Sequence, residues 1–243
     1  MFCFIFVLLF DVINIIYNYC DISNSNSTRN NNNITISLGI IDIRHHLSDY
    51  DFNVSRLILH PNFTLEPLTD NIGMIKLDRT IEFRNKNSNC SRACLPLTPS
   101  RIHLNMSACL AVGWGVDKEH SQTDKQSNVL LKVPMPILKP IDCTNSRIIP
   151  EFNQTTMICA GWKSGGSGAC FGDIGGPLIC PLVGLPPHDD AGGDNVNYNN
   201  TLYYSVVGIL AANSDCALPK HPSVFMKIEA YNEFILKYTN EEE

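Results

Sequence analysis

Residues 165–180, GGSGACFGDIGGPLIC, constrain this chain more than any other stretch. They join two cysteines through a Gly-Gly-Pro turn to an apolar run that reads as the start of a β-strand. A Gly-Asp-x-Gly-Gly string alone is weak, because glycine-rich turns carrying an acidic residue occur in loops of every fold class. By itself the stretch fits a disulfide-pinned surface turn of a secreted domain. It needs companions elsewhere in the chain before it means more.

The chain has ten cysteines, an even number, with no C-x-x-C pair and no Cys-His cluster. That pattern favours disulfides over zinc, and disulfides persist in oxidising compartments. Asn26, Asn33, Asn53, Asn62, Asn105, Asn153 and Asn199 sit in Asn-x-Ser/Thr sequons, so these positions are candidate glycosylation sites. Together they predict a secreted, extracellular glycoprotein. The formal net charge is −6 and no basic block stands out, so nothing supports nucleic-acid binding. A length of 243 residues allows one large all-β domain.

Residues 2–10 form an apolar run with two readings. It suits the apolar region of a signal peptide, although no positive residue precedes it and no small-x-small site follows. Asp11 interrupts it well short of the roughly 20 apolar residues of a spanning helix, so no membrane span is expected. Residues 21–33, DISNSNSTRNNNN, are polar and low in complexity, the mark of a segment that does not build a core. From Ile34 onward, short β-type runs alternate with turn residues, which predicts an all-β sandwich or barrel.

Cys170-Phe-Gly-Asp-Ile-Gly-Gly-Pro-Leu178 resembles the CxGDSGGPL signature of trypsin-like serine proteases, and companions follow in the right order. They are Leu57 to Phe63 (LILHPNF), Asp70-Asn-Ile-Gly-Met-Ile-Lys-Leu77, Cys109-Leu-Ala-Val-Gly-Trp-Gly115 and Ile158-Cys-Ala-Gly161. The resemblance implies an all-β fold of two six-stranded antiparallel β-barrels over residues 34–240, closed by a C-terminal helix with Tyr231, Phe234 and Ile235 on its buried face. Residues 1–33 are then either signal-like or a degenerate first disulfide loop running from Cys3 to Cys20. Upstream family elements are missing, so the first barrel is expected to be incomplete at its N-terminus, from truncation or an alternative start. The disulfides implied are Cys109–Cys180, Cys143–Cys159 and Cys170–Cys216. Cys94 matches a position that tethers an upstream chain in some members, and it pairs either with Cys90 or outside this sequence.

The same resemblance implies that the catalytic machinery is gone. The nucleophile position holds Ile174, which has no lone pair and no exchangeable proton. The aspartate position holds Asn71, and an amide there costs roughly 10⁴ in turnover even in an intact site. The histidine position falls at Tyr19 or is missing, and no His-Cys pair exists in the chain. Gly172, Asp173 and Ile174 form the vestigial oxyanion loop. Gly168 and Ala169 occupy one wall of the specificity pocket, with no carboxylate for a basic side chain, and Ala211, Ala212 and Asn213 replace the family's Ser-Trp-Gly on the other. Without a new amino terminus, Asp173 is expected either to turn to solvent and other side chains or to be buried at a cost of several kcal/mol, leaving the loop from 161 to 171 loose.

No metal and no cofactor is expected. His45 and His46 lie among Asp42, Asp49 and Asp51, and His188 among Asp189, Asp190 and Asp194, but neither group has regular ligand spacing. Both read as solvated loops, the second inside a long acidic insertion after Cys180. The favoured function is therefore a non-catalytic protease homolog whose partners are proteins: a protease, its substrate or an inhibitor. An active trypsin-like endopeptidase and a truncated product without function are the alternatives.

Overall fold

Alternation builds the first sheet. In the strand Asp51–Leu59, Phe52, Val54 and Ile58 are buried while Asn53 and Ser55 face out, the period-2 pattern of a half-buried strand. The computed structural model describes residues 4–7, 34–45, 51–64, 67–81, 93–96, 103–117, 126–144, 152–183, 204–213 and 216–240. Four strands of the first sheet fall among them: β1 (Phe4–Val7), β2 (Thr35–Ser37), β3 (Asp51–Leu59) and β4 (Gly73–Leu77). They pair antiparallel in the order β1-β4-β3-β2. β4 is central, and four of its five residues are buried. In register, Ile75 sits opposite Ile5 on one side and Leu57 on the other.

The second sheet runs β7-β6-β9-β10-β11-β8, with β5 beside β9. Its strands are β5 (His103–Leu104), β6 (Leu110–Gly113), β7 (Leu131–Pro134), β8 (Met157–Ala160), β9 (Pro177–Val183), β10 (Tyr204–Ala212) and β11 (Ser223–Lys227). Residues just past β7 close this sheet into a ring. The Leu138 N–H donates to Cys159 O at 2.9 Å, and the Gly161 N–H to Pro136 O at 3.0 Å, joining the two end strands. Closure leaves no exposed edge at the seam, as in other antiparallel barrels.

Three disulfides pin the second barrel. Cys109–Cys180 links the start of β6 to β9, Cys143–Cys159 links helix α1 (Pro140–Thr144) to β8, and Cys170–Cys216 ties the glycine-rich loop to the turn after β10. The chain ends in a 3₁₀ turn (Ile228–Tyr231) followed by α2 (Asn232–Asn240). Tyr231, Phe234 and Ile235 are buried against Ile58, Ile72 and Met74 of the first sheet and Met157, Val224 and Met226 of the second. That cluster binds both halves into one body. A second seam joins them on the other side, where the Leu130 N–H donates to Ile41 O at 2.7 Å and the Ile43 N–H to Asn128 O at 2.9 Å.

The fold is the trypsin-like, mostly β architecture with a C-terminal helix. The first sheet shows four strands rather than six among the described residues. In the stretch 34–43 the strand covers Thr35–Ser37, and Gly39 at φ 72° turns the chain after Leu38. Phe4–Val7 forms a sheet strand beside β4. Cys94 carries an exposed thiol, and Cys90, the partner expected within this sequence, lies outside the described residues. Cys3, Tyr19, Cys20, Cys90, Asn26, Asn33, Asn199 and the acidic insertion lie outside the described residues.

Candidate functional site

β10 is the wall that the candidate residues share. At its end, the Leu210 N–H donates to Gly176 O at 2.9 Å and Leu210 O accepts from the Gly175 N–H at 3.0 Å, fixing the Gly-Gly-Pro turn against the strand. Ile174 is half-buried beside that turn and packs against the second-barrel core of Ala169, Leu178, Leu210 and Phe225. Its side chain serves packing, and it offers no group to attack a carbonyl.

Asp173 is held by backbone. Its Oδ1 accepts from the Gly115 N–H at 2.8 Å and its Oδ2 from the Cys170 N–H at 2.9 Å. This differs from the expected turn to solvent or side chains. The reason lies in the Gly-Trp-Gly turn: a Cβ on Gly113 would collide with the Asp173 carboxylate, and one on Gly115 would lie 2.5 Å from it. Two glycines leave the space in which the carboxylate can approach that turn and reach an N–H. In the sequence Gly113 and Gly115 read only as landmarks, and no local signal announces this fit.

The loop from 161 to 171 carries three ties to the residues after β10. The Gly166 N–H donates to Ala217 O at 2.7 Å, the Lys220 N–H to Lys163 O at 3.2 Å, and Cys170–Cys216 closes it covalently. Gly172, in the expected oxyanion loop, has the Gln126 carboxamide in the space where a Cβ would stand.

Asn71 is fully buried, and among the described residues neither its Oδ1 nor its Nδ2 has a hydrogen-bond partner. The neighbouring Ile72 belongs to the same core as Ala211, which is also buried. Asp70 faces elsewhere. Its Oδ1 accepts from the Tyr231 hydroxyl at 3.1 Å, and burial together with that carboxylate pushes the Tyr231 phenol above its ordinary pKa.

His60 shares this region but does no acid-base work for Asn71. Its ring lies edge-on to Phe234 at 4.9 Å and Tyr231 at 5.3 Å, and its Nδ1 accepts from the Asn62 N–H at 3.3 Å. Burial lowers its pKa, with the Asp70 carboxylate acting in the opposite sense. It is the structural turn residue that its following proline predicts.

A cleft of about 720 Å³ opens between the 113–117 turn, β7 and the 166–168 loop, with Gly168, Cys170, Asp173 and Cys216 among its lining residues. Ala169 is buried behind it and Ala212 is half-buried. Asn213 presents a buried, unpartnered Nδ2. Two carboxylates, Asp117 and Asp173, are among the lining residues; Asp173 accepts from the Gly115 and Cys170 N–H groups, and Gly168 itself contributes no carboxylate. At the loop over 42–45, Asp42 is engaged by Arg44 at 2.6 Å and by His45 at 3.3 Å, and the guanidinium holds the Asp42 carboxyl well below the usual range. Among the described residues, no group of three metal-ligating side chains converges. No described helix is long and apolar enough to cross a membrane.

Comparison with known proteins places this geometry. The chain is 26% identical over 220 residues to the clotting factor G beta subunit of Tachypleus tridentatus, covering 87% of this chain and 63% of that protein. It is 29% identical over 188 residues to trypsin-1 of Astacus astacus, covering 77% of this chain and 68% of that enzyme. Transmembrane protease serine 5 of Homo sapiens is 26% identical over 182 residues, 75% of this chain and 35% of the human protein. The chain thus spans under two thirds of the first of these relatives. The family profile described as Trypsin matches residues 22–235, and with the sheet order, the three disulfides and the motif loop this establishes that the chain belongs to the trypsin family.

Proposed function

We propose that this is a secreted, non-catalytic member of the trypsin family that binds a protease, a protease substrate or an inhibitor. The observation that carries the reading is Asn71, buried with both carboxamide atoms unpartnered. In a working triad the group at that position accepts an imidazole N–H and stabilises the cation that forms during turnover. Here, among the described residues, neither Asn71 carboxamide atom has a partner, and at the nucleophile position Ile174 packs into the core. Chemistry and recognition have been lost together at Asn71, Ile174, Gly168 and 211–213, while the cysteines and turn glycines that hold the barrels remain.

The alternative, an active endopeptidase, rests on the names of the relatives. It requires a nucleophile from outside the motif. Ser167 lines the cleft but lies ahead of Cys170, whose disulfide to Cys216 fixes that part of the loop. Capture from the source fluid on the immobilised full chain tests the binding reading, with a denatured chain as control. Enrichment of a protease, its substrate or an inhibitor on the folded chain alone is expected. Failure to enrich any protein over the control contradicts it. Deleting the insertion from 188 to 200 in the same assay asks whether that long loop carries the contact.

A further inference from the structure

Four Asn-x-Ser/Thr sequons lie wholly within the described residues, and their geometries divide them into two kinds. At Asn105, Oδ1 accepts from the Ser107 hydroxyl at 2.6 Å and the Ser107 N–H at 3.2 Å. At Asn153, Oδ1 accepts from the Thr155 hydroxyl at 2.7 Å and the Thr155 N–H at 3.0 Å. Both side chains are exposed, and no described residue accepts from either Nδ2. These contacts span two residues, so the turn closes in a nascent chain before any barrel exists.

The other two sequons are committed elsewhere. Asn53 lies inside β3, where its Nδ2 donates to Asp78 Oδ2 at 3.0 Å and its N–H to Asp78 Oδ1 at 3.2 Å. The Ser55 hydroxyl of the same sequon donates to Lys76 O and Leu77 O on β4. In the Asn62 sequon, the Thr64 hydroxyl donates to Pro67 O at 2.5 Å and lies 2.6 Å from the Thr69 hydroxyl, so it is held away from the asparagine.

We propose that Asn105 and Asn153 are the N-glycan acceptors among these four sequons, and that Asn53 and Asn62 are bypassed. The proposal rests on the reading that the chain enters the secretory pathway. In the transfer, the carboxamide nitrogen bonds to the anomeric carbon of a lipid-pyrophosphate-linked oligosaccharide. The bond from that carbon to the pyrophosphate oxygen breaks, lipid pyrophosphate leaves, and Nδ2 gives up one proton. A turn that already presents Nδ2 outward and holds the hydroxyl beside Oδ1 presents the acceptor without an ordering cost. At Asn53 the sequon forms an extended strand rather than a turn, its hydroxyl bonds β4 rather than its own Oδ1, and one Nδ2 hydrogen is donated to Asp78 once β3 and β4 pair.

Both acceptors fall on the second barrel, beside the seam that closes it. The Ile137 N–H donates to Met106 O at 2.9 Å, and the Met157 N–H, at the start of β8, donates to Asn153 O at 2.8 Å. Met106, exposed next to Asn105, would be covered by the attached sugar.

The test is site-by-site occupancy by mass spectrometry of glycopeptides from the full chain, expressed in a eukaryotic host behind an added cleavable export signal. The added signal guarantees translocation, so the result is independent of whether the native chain exports itself, which the chain without that signal tests separately. Occupancy at Asn105 and Asn153 is expected to exceed that at Asn53 and Asn62 by roughly ten-fold or more, equivalent to about 1.4 kcal/mol of preorganisation. Equal occupancy at all four sites, or bare Asn105 and Asn153, overturns the proposal. Asp78→Ala supplies a second readout: freeing Nδ2 should raise occupancy at Asn53, and no rise in a chain that is still secreted refutes the role given to Asp78.

Discussion

Replacing Asn71 with aspartate tests whether any cationic or donor partner faces the buried end of β4. In an intact triad an aspartate here is stabilised by an imidazole, but Asn71 is fully buried beside a core that contains Ala211 and has no partner for either amide atom. An ionised carboxylate at this position would be a buried charge without compensation. Breaking a buried pair to leave one charge alone costs about 3–5 kcal/mol, and the same range applies here. At about 2–4 °C per kcal/mol for a chain of this size, Asn71→Asp should lower Tm at neutral pH by roughly 6–20 °C. The new acid's folded pKa is raised by burial above its unfolded value near 4. As pH rises from the unfolded pKa to the raised folded one, the unfolded state has lost its proton and the folded state has not, so stability falls across that window. The deficit should therefore disappear on acidification toward about pH 4. Asn71→Leu removes the two unsatisfied atoms at similar volume and should be neutral or stabilising by about 1–3 kcal/mol. Thermal unfolding of the three proteins across pH is the assay. An Asn71→Asp protein as stable at pH 7 as the wild type would reveal a partner for the carboxylate and refute the reasoning.

Further expectations follow from the same structure. Ile174→Ser should give no peptidase activity, because the triad acts as a unit and restoring one member leaves the others missing, and it should cost about 1–2 kcal/mol from lost packing against the second-barrel core; turnover of peptide esters by the variant would contradict this. Gly115→Ala should destabilise by about 1–3 kcal/mol by forcing the Asp173 carboxylate from its N–H donor, read as a fall in the chemical-denaturation midpoint, and an unchanged midpoint would refute the fit. Removing Cys143–Cys159 by double alanine substitution should cost about 3 kcal/mol for a loop of this size, and non-reducing peptide mapping of the wild type should recover all three disulfides. Cys94 should react with iodoacetamide in the native protein while the six bonded cysteines do not, and protection of Cys94 would show that it is covered.

Much of the fold was legible because its determinants are local. Cysteine positions, the Gly-Trp-Gly and Gly-Gly-Pro turns and the period of Tyr231, Phe234 and Ile235 each demand one geometry, and the second barrel follows them. Phe4–Val7 was less legible, since its apolar run fits a signal-like segment and a degenerate first disulfide loop alike, and its pairing with β4 is a long-range contact without a local signature. Seam closure by residues 136–138 is a long-range contact with no local signature. The site divides in the same way. That Ile174 and Asn71 lack catalytic groups is a statement about residue type and could be read directly. That Ile174 packs into the core, and that Asp173 is satisfied by the Gly115 and Cys170 N–H groups, depends on atoms brought together by folding. The close approach demanded by Gly113 and Gly115 was visible only as two small residues flanking a tryptophan.

Labelling of the purified wild-type chain with a fluorophosphonate, beside an active trypsin at equal concentration, tests the central claim most directly. The reagent phosphonylates an activated serine, the P–F bond breaking as the O–P bond forms, and requires no knowledge of substrate preference. The account predicts no covalent adduct on the native chain at exposures that label the active enzyme completely. An adduct that forms on the folded chain and is abolished by denaturation would show an activated nucleophile within this fold and contradict it.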